Sequence, residues 1–235
     1  MLTTPLTSTS EIILGLLLGF LSATISESIG HKIFGHPGPF QLKIYFKYPN
    51  FFAPFLRAYF HHYVIHHKKT YKTDIVTQFE SPIHKAEVDT WIAREFPTEF
   101  ANLIWEEQYN LTLKGVSGIL PFAIPFFTGP IVIAILFGKI AFFTSLITGL
   151  VPVLMSKYIH PFIHQPERMS EAPFVVQLIA KTKYMQWIFK NHYMHHKYLD
   201  TNFNLLLGGD YLVGAHRQAT IEEKNNIQKL WLKFK

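Results

Sequence analysis

The chain has 235 residues and a mass of 27.3 kDa, the size of one domain, and is 49% hydrophobic but only 16% charged, well under the roughly 25% charge of soluble proteins. With 22 Phe and a mean hydropathy of +0.14 it holds more apolar side chains than one small water-soluble core can hide, and it is not a disordered chain. The absence of cysteine excludes disulfide scaffolds, zinc fingers, iron–sulfur clusters and thiol nucleophiles, while the net charge of +6 comes with no nucleic-acid-binding motif and points to anionic lipid head groups.

The first apolar run, Ile12–Ser26, lies between Glu11 and Glu27 and predicts a span over about 9–29, opened by a capping box of Ser8 and Glu11. The N-terminus lacks the basic region of a cleaved signal peptide. Phe40–Tyr59, rich in Phe, Tyr and Pro with scattered Lys, suits a chain anchored in the head-group region. Ser81 and Pro82 open an amphipathic helix that runs through Arg94. Residues 115–156 carry one charge, Lys139, and predict a helical hairpin with spans over about 116–137 and 140–158 and its tip at Gly138 and Lys139. Pro121, Pro125 and Pro130 should kink its first arm. Thr220 and Glu223 cap a last helix on which Ile221, Ile227, Leu230, Trp231 and Phe234 recur at helical spacing.

Three spans place segments 31–115 and 159–235 on the same side of a membrane. Ten Lys and Arg fall between Lys32 and Lys114, eleven between Lys157 and Lys235, and none before the first span, so the positive-inside rule puts both segments in the cytoplasm. All 13 histidines lie on that side. The expected fold is a single all-α integral membrane domain over residues 1–235, with about three transmembrane helices and a cytosolic helical cap.

Ten of the histidines form four clusters: His31 and His36; His62, His66 and His67; His160 and His164; His192, His195 and His196. On a helix, positions i, i+3 and i+4 fall within about 100° of arc, so the last cluster presents three imidazoles on one face. The pair at 31 and 36 is wider, and needs Gly35 and Pro37 to end its helix. Burying ten neutral imidazoles without partners would cost roughly 1–3 kcal/mol each, whereas metal ions accept their lone pairs. Ten donors exceed a closed zinc site and suit two ions, with iron the first expectation and zinc, copper and nickel compatible with imidazole. The chain contains no Glu-x-x-His or His-Glu-x-x-His, the patterns of soluble carboxylate-bridged and zinc-protease sites.

These four boxes, with a membrane hairpin between the second and third, resemble the fatty acid hydroxylase and sterol desaturase superfamily of membrane di-iron oxygenases. Asn202-Phe203-Asn204 and Asp210-Tyr211-Leu212-Val213-Gly214 after the last box are similar to that family's Asn-Tyr-Gly and Trp-Asp-x-Leu-Phe-Gly-Thr runs, and the resemblance spans about residues 11–215. It implies two irons, or zinc as purified, held by the boxed histidines, and oxygen-dependent attack on an unactivated C–H bond of a lipid-like substrate. Desaturation is the nearest variant, and a non-catalytic metal binder or transporter is the reading from another class. The chain departs from the family in having one span before the first box, Asn204 in place of Gly, and an extra residue in the second box. There His61 competes with His62, and His62 is favoured. Asp210 and Glu27 are candidates to support a ligand histidine from behind, with Asn204 beside them, while His84 and His216 stand outside the boxes. His36-Pro-Gly-Pro is similar to a cytochrome b5 haem motif, but too little chain precedes it for a haem domain. Electrons are therefore expected from a separate reductase with a cytochrome b5-like or ferredoxin-like carrier.

Overall fold

The computed structural model describes residues 7–110 and 115–234, and side chains over 7–110 and 126–233. In chain order its helices are α1 (Ser8–Gly30), α2 (Pro39–Lys47), α3 (Ala53–Ala58), α4 (Pro82–Glu95), α5 (Thr98–Glu106), α6 (Gly115–Phe137), α7 (Lys139–Tyr158), α8 (His160–His164), α9 (Phe174–Ala180), α10 (Lys183–Tyr198), α11 (Gly209–Leu212) and α12 (Ile221–Trp231). Two π-helical segments, His31–Gly35 and Tyr59–Lys69, interrupt the α-helices. No strand occurs among the described residues, so the fold is all-helical as expected.

Two continuous stretches, Ser8–Gly35 and Lys139–His164, are long and apolar enough to cross a membrane. The spans expected at about 9–29 and 140–158 lie inside them. The third expected span, 116–137, falls within α6, whose described side chains, Phe126–Phe137, form a shorter apolar run. Pro121 and Pro125 lie outside the described side chains. α1, α6 and α7 pack together with their small residues inward and their large apolar ones outward. Gly15, Gly19, Ala23, Thr24 and Ser28 of α1 and Ala141, Ser145 and Gly149 of α7 are buried, whereas Leu17, Ile135, Phe143 and Ile147 are exposed. Small residues at the contact let the helix backbones approach closely. Gly15 and Gly19 set the closeness: a Cβ on Gly19 would stand 2.6 Å from the Cα of Ser145, and one on Gly15 2.6 Å from the carbonyl of Ala141.

The helix ends are read with small shifts. The N-cap of α1 is Thr7, which accepts from the Ser10 N–H, rather than the expected Ser8; the hydroxyl one residue earlier has the extended backbone that a cap needs. Gly138, at φ 91°, separates α6 from α7 as the hairpin tip and sits beside the Glu11 carboxylate, so the tip and the start of α1 share one end of the bundle. The opposite end carries His31 and His160. Ser81 caps α4 through the His84 N–H, and Thr220 and Glu223 form the capping box of α12, both as expected. Of the apolar stripe on α12, Ile227 is buried and Leu230 and Trp231 pack on the core, but Ile221 is exposed. In the Phe40–Tyr59 segment α2 and α3 leave Phe40, Phe46, Tyr48 and Phe51 exposed.

Two buried clusters hold the remaining helices over the histidine end. Met185, Ile188, Phe189 and Met194 of α10 pack on Met155 of α7, Ile163 of α8 and Ile159 between them. Ile65 of the second π-helical segment packs on Val88 and Ile92 of α4 and Ala101 and Ile104 of α5.

Candidate metal centre

The π-helical segments explain the histidine spacings in the first two boxes. Their hydrogen bonds join residues five apart, as in the 3.1 Å bond from the His36 N–H to the His31 carbonyl and the 2.9 Å bond from the Thr70 N–H to the Ile65 carbonyl. His31 and His36 therefore face each other with ring centroids 5.3 Å apart, and His62 and His67 at 4.5 Å. Gly35 makes room, since a Cβ there would lie 2.9 Å from the His31 ring and 3.0 Å from that of His62. His160 and His164 share a face of α8, and His192, His195 and His196 project from α10.

All ten expected ligands meet. One group holds His31, His36, His62, His67 and His195; a second holds His66, His160, His164 and His192; a third, His66, His67 and His196, joins them. Within each group one nitrogen per ring lies within 4.8 Å of every other. The Nε2 atoms of His62 and His67 are 3.1 Å apart, those of His67 and His195 3.1 Å, those of His160 and His164 3.2 Å and those of His164 and His192 2.8 Å. Nitrogens about 2.0–2.1 Å from a shared ion stand about 2.9–3.4 Å apart at octahedral or tetrahedral angles.

The hydrogen bonds around the rings suit a cation at these contacts. Backbone carbonyls accept from Nδ1 of three rings: Phe203 from His31 at 2.9 Å, Ile75 from His164 at 2.6 Å and Thr201 from His195 at 2.9 Å. With Nδ1 carrying the proton, each Nε2 presents a lone pair, and these lone pairs point at other imidazole nitrogens. The His31 Nε2 meets that of His62 at 2.6 Å. The charged imidazolium form is disfavoured there, because burial and then the neighbouring imidazoles push His62, His66, His67, His192 and His196 well below the ordinary histidine range. Burial does the same to His195, with His31 adding to it. Both nitrogens of His36 and His66, and Nε2 of His196, are buried with no hydrogen-bond partner. Orphaned lone pairs converging from an all-imidazole set fit a bound metal ion of the zinc, iron, copper or nickel type.

His61 does not join them. Its ring is fully buried near Phe100, 6.1 Å between centroids, with both nitrogens unpartnered, and burial, reinforced by Arg57, pushes it down to about 3. His62 is the residue that reaches the group. His84 accepts from the Glu80 N–H, and His216 stacks on Tyr211 at 3.8 Å; both lie outside the three groups.

Glu27, Asn204 and Asp210 act one step further back than expected. No hydrogen bond joins Glu27 or Asp210 to a ligand ring among the described residues. Glu27 instead accepts from the N–H groups of Leu205 and Leu206 and from Asn204 Nδ2. Asp210 accepts from the Phe203 and Asn204 N–H groups, Ser28 Oγ and Asn191 Nδ2. Asn204 donates to the Thr24 carbonyl and accepts from Ser28 Oγ and the Asp210 N–H. The side-chain amide tethers the loop to α1, a role that glycine cannot fill. Together they fix the loop whose Phe203 and Thr201 carbonyls orient His31 and His195. Ile75 is held likewise by Asp74, whose carboxylate accepts from the Val76 and Thr77 N–H groups. Ser28, Asn191 and these carbonyls escaped the sequence reading, since a backbone oxygen leaves no residue-type signal.

A cavity of about 50 Å³ reaches the histidines between α1, α6 and α7, several times the roughly 10–15 Å³ that admits one water. Phe126, Pro152, Val153 and Leu205 wall it, and His31, His62, His160 and His192 close it. The chain matches no protein-family model, no curated protein and no solved structure.

Proposed function

We propose that the chain is a multi-pass membrane di-iron monooxygenase of the fatty acid hydroxylase and sterol desaturase type, which hydroxylates an unactivated C–H bond of a lipid-like substrate. The observation that carries this reading is the convergence of nine histidine rings into two adjacent groups, joined by His196, at the inner end of an apolar cavity. Two iron ions, when bound, supply dioxygen activation with two electrons from a separate donor.

The chain's own residues do the rest. His31, His164 and His195 are oriented by carbonyls through Nδ1, so their Nε2 atoms are held ready without rotational loss. His36, His62, His66, His67, His160, His192 and His196 complete the ligand set, His196 from between the two groups. Phe126, Pro152, Val153 and Leu205 exclude water and admit hydrocarbon, so a substrate reaches the site from the bilayer between the spanning helices. α6 serves as the third span, which puts the histidine-bearing segments together in the cytoplasm, where their Lys and Arg residues offer an acidic carrier a docking face.

The test is incubation of membranes containing the chain with a reductant, a lipid panel and ¹⁸O₂. Hydroxylation places the label in a lipid product that His195→Ala lacks. A product that loses two hydrogens without gaining label makes the chain the desaturase variant, and metal uptake into sealed vesicles without any product replaces the enzyme reading with transport.

A further inference from the structure

A second cavity, of about 370 Å³, lies between α10 and the segment leading through α11, remote in composition from the first. Buried Asn191, Met194 and Asn202 line it, with exposed Trp187 and Tyr211. Lys190, His216 and Arg217 bring basic groups to it. Among the described residues no carboxylate forms an ion pair with Lys190 or Arg217. The carboxylate whose charge reaches His216 is Asp210, already committed to four donors. The Arg217 guanidinium lies 3.6 Å over the Tyr198 ring, which holds its position without neutralising it.

The depth of this cavity is set by α1. The Gly209 N–H donates to Thr24 Oγ1 at 2.7 Å, and Thr24 Oγ1 donates to the Leu206 carbonyl at 2.7 Å. Thr24 stands six residues before Gly30, about 9 Å from the histidine end of α1 at roughly 1.5 Å per residue. α11 thus lies against the last turns of a spanning helix, where exposed Tyr211, Leu212, Val213 and Trp187 have the composition of a membrane interface. Uncompensated cations beneath such a rim complement a lipid phosphate.

We infer that this cavity binds the head-group phosphate of an anionic phospholipid from the surrounding leaflet, with Lys190, His216 and Arg217 around the phosphate and Trp187 and Tyr211 beside the glycerol and upper acyl chain. The inference rests on the membrane reading above. The cavity also borders the loop that orients the metal site. The Asn202 side chain accepts from the Arg217 N–H and donates to His216 Nδ1, and its neighbours Thr201 and Phe203 orient His195 and His31.

The experiment uses the full chain in nanodiscs of phosphatidylcholine containing a brominated tracer, either phosphatidylglycerol or phosphatidylcholine. Trp187 emission is isolated by subtracting that of Trp187→Phe. The brominated anionic lipid should quench at about one twenty-fifth of the mole fraction needed for the neutral one, since each of the two cations Lys190 and Arg217 is worth roughly fivefold. Lys190→Gln with Arg217→Gln should erase that preference, and the charge-preserving Lys190→Arg with Arg217→Lys should keep it. Equal quenching by the two lipids in the native chain overturns the inference, as does loss of the preference when glycerol phosphate is added at millimolar concentration, which assigns a soluble phosphate ester instead. A chain that stays in the bilayer with Trp187 quenched by neither lipid overturns the cavity's role alone; a chain that leaves the bilayer overturns the membrane reading.

Discussion

Replacing Asp210 with Ala tests how the loop governs the metal centre. The carboxylate is 2% exposed and accepts four hydrogen bonds. Two of the donors keep other partners: Ser28 Oγ still has Asn204 Oδ1, and Asn191 Nδ2 still has the Asn202 and Asn204 carbonyls. The N–H groups of Phe203 and Asn204 have none, and two buried unsatisfied N–H groups cost about 2–6 kcal/mol together. That strain falls on the Phe203 and Thr201 carbonyls, so His31 and His195 lose their orientation and metal affinity should drop about 10–100-fold. Asp210→Asn keeps one acceptor oxygen and should fall between. Thermal unfolding of the purified protein in detergent measures the stability, and the rate of metal loss to a chelator measures the site. An Asp210→Ala protein with native melting and native metal retention would refute the assigned role of the loop.

The second-box histidines should separate cleanly: His62→Ala is expected to lose most bound metal, whereas His61→Leu, which removes two unpartnered buried nitrogens, should keep metal and native or higher stability, both read by elemental analysis and melting. Gly19→Leu should separate α1 from α7 and abolish folded protein in detergent, as seen by size-exclusion chromatography, because the Ser145 backbone occupies the space its side chain needs. Acid should unfold the metal-free protein. His36, His62, His66, His67, His192, His195 and His196 are held well below 6.5, and His61 at about 3, so as pH falls below about 6.5 the unfolded chain takes up protons that the folded chain refuses. Stability then falls by up to about 1.4 kcal/mol per pH unit for each such ring. A flat melting temperature of the chelator-stripped protein between pH 7 and 5 would contradict that sign.

Much of the scaffold was legible because it rests on local signals. The single charge between residues 115 and 156, the Gly138 tip, the Ser81 cap and the Thr220–Glu223 box each act through neighbours a few positions away, and the elements stand where those signals put them. The four histidine boxes were likewise legible as one site. Other features depend on chain segments far apart. The five-residue spacings of His31–His36 and His62–His67 are awkward on an α-helix and regular on a π-helix, so the spacing held the signal although α-helical geometry did not explain it. Glu27 and Asp210 were marked by their positions, but only the fold shows them holding backbone N–H groups of residues 203–206. The α1–α7 contact depends on Gly15 and Gly19, which no apolar count distinguishes from the leucines between them.

The central claim is tested most directly by the metal content of protein purified anaerobically from iron-57-supplemented cells, read by elemental analysis and Mössbauer spectroscopy. About two irons per chain are expected, and loss of both is expected when His195 and His196 are replaced by Ala. A chain that binds no metal, or that keeps its metal without those two histidines, would contradict the assignment of the converging imidazoles as a metal centre.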